Sequence, residues 1–494
     1  MSVGQVSLPP AGTEPTRTYA PAPGYAPGRP TLGAPSVLVP SHPEFKNVPV
    51  TYANECNSCG VHGGFLRHLF SCPCKPEEEK NGNGKNGNGN GNGKDANGKN
   101  GNGKDGNGKD GNGNGDGEKE KDDGPWRLVQ KPVAGFNVTG WIYGTGVANA
   151  TNGSSRYNGP LTMNDQEGVF LNQFWLNFNK PLEKDCFSVG ANLDVFFGND
   201  YLASLSRGFE NARARGVLPR WWNNQDYGIA IPQAYLEFGH SKLNMKVGHF
   251  YTPHGYMVIQ APSNFFNTLP YGFMMTNPFT HWGAQLNAAV GDQTTVMFAI
   301  VNGWDALDRP TNAAAYMGGV KYAFKEDKGF ISCNVITGLE PENLNTGYDN
   351  RTLVTNVLDY KLNDRVEFVF ENNLLWQDNR GLGTSFSHSY IPYLFYKIND
   401  CWRIGARYEY FRDPGGFIAA SRAGNPNNGP FVSPGIFTGD MHSLCFGLNW
   451  APHGSKNLMI RPEVRYDWFD GAGPQPFNGD DHQLMFVLGA WFQF

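Results

Sequence analysis

The sequence predicts an all-β fold: a transmembrane antiparallel β-barrel of about sixteen strands, preceded by a disordered N-terminal region. Three observations carry this expectation. From about residue 135 onward, apolar and aromatic residues alternate with polar ones in runs of roughly ten, separated by turn residues. The connections between runs alternate short and long. The chain closes on LMFVLGAWFQF, in which Leu484, Phe486, Leu488, Ala490, Phe492 and Phe494 share one face.

Composition bounds the alternatives. Charged residues are only 17% of the 494, aromatic residues are 14%, and the net charge is -5, so no electrostatic footprint for nucleic acid is present. No run of eighteen apolar residues occurs, so no transmembrane helix is expected. A mean hydropathy of -0.47 suits a soluble protein, but also a barrel in which alternate residues face lipid. The opening MSVGQVSLPPAGTEP has no basic n-region and no apolar h-region; the expectation is a mature form or a start at the wrong codon.

Four segments follow in order. Residues 1–50 form a Pro-rich arm without a core. Residues 51–79 hold a small Cys-rich motif, CNSC…CPC, with Cys56, Cys59, Cys72 and Cys74. Four thiolates suit a tetrahedral zinc site, which makes zinc the candidate cofactor, with His62 and His68 as spare ligands. Two disulfides fit an exported protein at least as well, and redox-active or lipid-attached thiols stay open. Residues 80–124, nearly all Gly, Asn, Lys and Asp, cannot offset their ordering entropy and read as a flexible linker. The run from Asp110 through Asn112, Asn114 and Gly115 mimics an EF-hand start, but its twelfth position is Lys121 and no flanking helices are apparent. Residues 130–494 are the barrel.

Within the barrel the strands sort their charges. RVEFVFENNLLWQ puts Val366, Phe368, Phe370, Leu374 and Trp376 on one face and Arg365, Glu367, Glu371, Asn373 and Gln377 on the other. In CWRIGARYEYFRD, Trp402, Ile404, Ala406, Tyr408 and Tyr410 oppose Arg403, Arg407, Glu409 and Asp413. In LMIRPEVRYDWF, Leu458, Ile460, Pro462, Val464, Tyr466 and Trp468 oppose Arg461, Glu463, Arg465 and Asp467. A helix would spread these charges around its circumference. The runs near 135, 329 and 385 are the least regular. Short connections include GHSK, LNDR and INDC; long ones span about 199–228, 253–279 and 413–440. An even strand number puts both ends of the barrel on the short-turn side. The final stripe is expected to face lipid, and its strand to pair with GFNVTGWIYG, because hydrocarbon leaves no backbone group unpaired. Trp282, Trp376, Trp402, Trp450 and Trp468 suit aromatic girdles. Cys186, Cys333, Cys401 and Cys445 read as small semi-apolar residues without pairing.

This pattern resembles outer-membrane porins, more narrowly the β-barrel porin-2 (OmpL-like) group, over about residues 130–494. The resemblance rests on the last strand ending in Phe494, with Trp491 and Phe492 beside it. It rests also on PHGYMVIQAPSNFFNTLPYGFMMTNPFTHWGAQL, where a polar-aromatic loop leads through Pro278 and Phe279 into a strand. It implies a location in the bacterial outer membrane with the N-terminal region in the periplasm. It implies outer-membrane lipid as surroundings, the barrel-assembly machinery as reader of the terminal aromatic, and a homotrimer as oligomer.

A barrel of this size leaves a water-filled channel, expected to pass small hydrophilic solutes or ions by diffusion. The pore-lining candidates are Arg365, Glu367, Glu371, Arg403, Arg407, Glu409, Arg461, Glu463, Arg465 and Asp467. With Asp194, Glu237, Lys246 and Lys321 they make seven acids and seven bases, which predicts weak ion selectivity. A charge-paired wall that braces the strands is the plainer reading. The loop at 253–279 holds Tyr256, Met257, Phe265, Phe266, Tyr271, Phe273, Met274 and Met275. So much apolar surface is expected to fold inward as a constriction, the alternative being a cap on other loops or on a neighbouring subunit. The loop at 199–228, with Arg220, Trp221 and Trp222, is a second candidate. No GxSxG elbow or HExxH motif occurs, so no enzyme is expected. The rival functions are a structural or adhesive anchor with a plugged barrel and a partner-binding arm, and a soluble all-β protein.

Overall fold

The computed structural model describes residues 126–494 apart from 152–155, 162, 184–185, 211–225, 309–312, 342–347, 380–382, 415–437 and 473–474. The arm, the Cys-rich motif with its candidate zinc ligands, the linker and the Arg220–Trp222 segment therefore lie outside the described residues.

Sixteen strands form one closed antiparallel barrel, each paired with its sequence neighbours and the last with the first. They are β1 (Asn137–Asn149), β2 (Gly168–Lys180), β3 (Ser188–Gly198), β4 (Gly228–His240), β5 (Leu243–Tyr251), β6 (Thr280–Ala289), β7 (Thr294–Val301) and β8 (Ala315–Ala323). There follow β9 (Gly329–Pro341), β10 (Tyr348–Lys361), β11 (Val366–Asn379), β12 (Gly383–Lys397), β13 (Trp402–Asp413), β14 (Thr438–Trp450), β15 (Leu458–Ala472) and β16 (His482–Gln493).

The predicted alternation is the reason for the wall. In β13 each residue of the Arg403, Arg407, Glu409, Asp413 phase is buried, while Ile404 and Tyr408 are exposed on the outside. Phe486, Leu488 and Phe492 of the terminal stripe are likewise exposed on the outside. The seam runs from Trp141↔Gln493 to Asn149↔Met485. At its end Gly140 and Phe494 exchange two backbone hydrogen bonds, both 2.8 Å. A Cβ on Gly140 would come 2.4 Å from the Trp175 carbonyl oxygen, so the closest approach of the seam requires glycine.

The short turns are set by side chains. Asn363 accepts the backbone N–H groups of Arg365 (2.9 Å) and Val366 (3.0 Å), and Asn399 accepts those of Cys401 and Trp402 (both 2.9 Å). The same Asx geometry thus turns both LNDR and INDC. Connections at the opposite, loop end vary more than a simple alternation predicts, from three residues between β11 and β12 to 28 between β5 and β6 and 29 between β3 and β4. Trp402 and Trp450 stack at the turn end, 5.3 Å apart, and Trp468 lies on His442 nearer the loop end, 4.7 Å apart. Trp282 departs from the girdle expectation: Phe209 packs edge-on against it at 5.0 Å, and its indole N–H donates to Ser206 Oγ at 2.9 Å.

Candidate functional site

The connection between β5 and β6, residues 252–279, is almost wholly buried. Its neck is narrow. Thr252 N–H donates to the Phe279 carbonyl at 3.2 Å, and Asp305 Oδ1 accepts the N–H groups of Phe279 (2.9 Å) and Thr280 (2.8 Å). Beyond the neck the chain turns at Gly255, whose φ of +87 suits glycine alone. It is braced where Asn264 Oδ1 accepts the Val258 N–H at 2.9 Å. Pro270, extended at the N-cap, precedes a short helix, α1 (Tyr271–Thr276), and its carbonyl accepts the Met274 N–H at 3.0 Å.

Wall carboxylates take the loop's backbone N–H groups. Glu371 Oε2 accepts Tyr256 N–H at 3.1 Å. Glu463 Oε2 accepts Asn267 N–H at 2.5 Å and Thr268 N–H at 3.2 Å, and its Oε1 accepts the Thr268 hydroxyl. Glu409 accepts Tyr271 N–H at 2.7 Å and Gly272 N–H at 2.6 Å. Wall arginines take the loop's carbonyls: Arg407 donates to Thr268 O at 2.6 Å, Arg465 to Leu269 O at 2.7 Å, and Arg461 to Ala261 O at 2.9 Å and Asn264 O at 2.6 Å. Charge-assisted bonds of this kind are short and strong in a dry setting.

Each of these guanidinium groups also lies over an aromatic ring. Arg407 covers Phe266 (5.0 Å), Arg465 covers Tyr271 (4.8 Å), and Arg461 covers Tyr143 (5.1 Å). Arg403 lies between Phe265 (5.5 Å) and Phe395 (4.7 Å) and pairs with Glu367 at 2.7 Å. Stacking plus hydrogen bonding in the ring plane is what guanidinium offers and ammonium does not. The opposite wall completes the grip. Gln173 donates to Ile259 O at 2.7 Å and accepts Ala261 N–H at 3.1 Å, Asn334 donates to Pro253 O at 2.9 Å, and His254 contacts Thr355 Oγ1 at 2.9 Å. Burial holds the His254 imidazole well below its usual pKa and pushes the Tyr271 hydroxyl well above its own.

The residues singled out in the sequence come together with one exception. Glu371, Arg407, Glu409, Arg461, Glu463 and Arg465 face inward and contact the loop; Glu367 and Arg403 pair with each other; Asp467 accepts Arg465 Nε at 2.8 Å. Arg365 does not belong to the wall. It is exposed in the turn between β10 and β11, because the Asn363 side chain closes that turn before the strand begins. There it borders a 460 Å³ cavity at the barrel mouth with Lys361, Lys397, Lys456 and Trp491. Tyr256, Phe265, Phe266, Tyr271 and Phe273 are all buried within the barrel, at 8% exposure or less. Cys186, read as unpaired, is disulfide-bonded, while Cys333, Cys401 and Cys445 are free. Among the described residues, no three His, Cys, Asp or Glu gather to hold a metal.

Sequence reasoning missed the inward glycines. A Cβ on Gly405 would meet the Phe265 ring at 2.6 Å, and one on Gly447 the same ring at 3.0 Å. One on Gly489 would meet Asn267 Oδ1 at 2.0 Å. Their signal was glycine in the inward phase of strands whose neighbouring inward positions are large.

Residues 135–494 match the family described as "Putative beta-barrel porin-2, OmpL-like". No curated protein matches the sequence. Among solved structures, the chain is similar to the outer membrane channel DcaP of Acinetobacter baumannii, with 16% identity, a TM-score of 0.46, and coverage of 74% of this chain and 99% of that one. It is similar to an anion-selective porin from Comamonas acidovorans, with 10% identity, a TM-score of 0.49, and coverage of 73% and 99%. OprB of Pseudomonas putida shares 14% identity, with a TM-score of 0.45 and coverage of 73% and 94%.

Proposed function

The chain belongs to the β-barrel porin-2, OmpL-like family and is an outer-membrane porin for passive diffusion of small hydrophilic solutes, and from that premise we propose that residues 252–279 set the cross-section of its channel. The observation that carries this reading is the double row of bonds across the barrel interior. Glu371, Glu409 and Glu463 hold loop amides while Arg407, Arg461 and Arg465 hold loop carbonyls. A loop fixed by both its donors and its acceptors is a rigid constriction rather than a swinging lid. Because each wall charge is matched by an opposite neighbour or by loop dipoles, the constriction has weak ion selectivity.

The turn end of the barrel faces the periplasm in this reading, and the N-terminal region with it. Outer-membrane lipid covers the exposed stripes, the barrel-assembly machinery reads the strand ending in Phe494, and the barrels associate as homotrimers. Deleting about fifteen residues of the loop tests the constriction by single-channel recording in planar bilayers. Larger conductance is the expected result; unchanged conductance makes the loop a cap.

A further inference from the structure

The outer faces of the strands are not uniform. On β5 to β8 the outward residues are Leu243, Met245, Val247, Leu286, Val296, Phe298, Ile300, Tyr316 and Val320, all exposed and fit for hydrocarbon. On β9 to β11 the outward phase mixes such residues, among them Ile331, Val335 and Leu339, with amides, hydroxyls and a thiol. Cys333, Asn356 and Asn372 lie side by side across the three strands, since Cys333 pairs in register with Asn356 and Asn356 with Asn372. Asn356 Nδ2 donates to Asn372 Oδ1 at 2.8 Å. Nearer the loop end, Thr337, Asn350 and Thr352 bond one another: Thr337 Oγ1 contacts Thr352 Oγ1 at 2.8 Å, and Asn350 Nδ2 donates to Thr352 Oγ1 at 3.1 Å.

Depth makes this costly. Asn356 is the ninth of the fourteen residues of β10 and Asn372 the seventh of the fourteen of β11, so the pair lies mid-strand, away from either interface. Two primary amides offer four N–H donors and two carbonyl oxygens, and their mutual bond uses one of each. Hydrocarbon supplies no partner for the remainder.

We propose that the polar strip on β9–β11, centred on Asn356 and Asn372, is the surface on which a second copy of this chain docks in the membrane. The chemistry of the strip selects that occupant. An amide both donates and accepts, as do the threonine hydroxyls, so the strip can satisfy the same strip on neighbouring copies gathered around one symmetry axis. The inference rests on the barrel being in the outer membrane and assigns a face to the oligomer.

The test uses the full chain extracted in mild detergent, with Asn356→Leu and Asn372→Leu combined. Size-exclusion chromatography with light scattering is expected to give an oligomer for the native chain and a monomer for the double variant. Because leucine suits a lipid-facing strand, the heat-modifiability midpoint of the variant barrel on gels is expected to hold or rise, which separates lost docking from misfolding. Short bismaleimide reagents applied to native membranes are expected to give a cross-linked dimer that vanishes in Cys333→Ser, since Cys333 is exposed in the same strip. A native chain that is monomeric, an oligomer unaltered in the double variant, or a cross-link that survives Cys333→Ser overturns the proposal. A native chain that needs no detergent would instead overturn the outer-membrane reading.

Discussion

Gly272 donates its backbone N–H to Glu409 Oε1 at 2.6 Å, and a Cβ at Gly272 would come 2.0 Å from Ser389 Oγ. The glycine is needed because the helix α1 presses directly on the walls of β12 and β13. Gly272→Ala is expected to push α1 off Glu409, at a cost of about 1–3 kcal/mol from overpacking. Single-channel traces should then show a noisier open level. A trace identical to the native one would mean that the loop accommodates the methyl without moving.

Glu463 serves three loop donors at once. Glu463→Leu strands those donors and leaves the neighbouring arginine uncompensated, which is expected to destabilise the barrel by about 3–5 kcal/mol. The measurement is the temperature at which the detergent-solubilised barrel loses its compact migration on gels. Combined with deletion of the loop, the same substitution should cost far less, because its partners are gone. Equal cost in both backgrounds would show that Glu463 acts on the strands alone.

The connection between β3 and β4 predicts a pH dependence. Burial, aided by the nearby Asp165 charge, raises the Asp200 carboxyl to about 7 against hydrogen bonds from Asn172 and Gln173 that pull it down. Burial also raises Glu210 to about 8. A carboxyl held above its unfolded value binds its proton more tightly in the fold. Its contribution is therefore complete below about pH 4 and is lost as pH rises through the folded value. Stability measured from about pH 5 to 9 should fall, and Asp200→Asn should flatten the curve. Gln173 also holds Ile259 and Ala261, so conductance in the native chain should vary over the same window. A flat native profile would contradict the assignment.

Closure of the seam gives a fourth expectation. Gly140→Val places two methyls against the Trp175 carbonyl and the Phe494 ring, whose nearest atom would lie 2.8 Å from a Cβ alone. Refolding into detergent micelles should yield little compact barrel, whereas Gly318→Ala, on β8 where a Cβ would meet only Val335 Cγ1 at 3.8 Å and the Met297 carbonyl oxygen at 4.0 Å, should refold to a far greater yield.

Much of this architecture is legible in the sequence because a strand has a period of two. The Arg403, Arg407, Glu409 phase needed no tertiary knowledge to be placed inside. The inward course of 252–279 was legible as well, since Phe265, Phe266 and Phe273 would otherwise stand in water. What could not be read was the pairing between loop and wall. Gly272 meets Glu409 across 137 positions and Asn267 meets Glu463 across 196, distances at which local pattern says nothing. The error at Arg365 is smaller in scale: the alternation runs on through it, but the Asn363 side chain ends the turn one residue later. The glycines at 405, 447 and 489 looked like weak points in their strands until the loop filled the space above them.

The loop's enclosure has a consequence for how the molecule is born. The strap's partners on β11, β13 and β15 all lie beyond it in the chain, so its bonds to them wait until those strands are in place. Bonds spanning more than a hundred positions form late and pay loop-closure entropy first. A cylinder that zipped shut while the strap hung outside would be stable and wrong. The order of events has to run the other way: hairpins accumulate, the strap threads between the open edges, and β1 meets β16 only when the interior is already furnished.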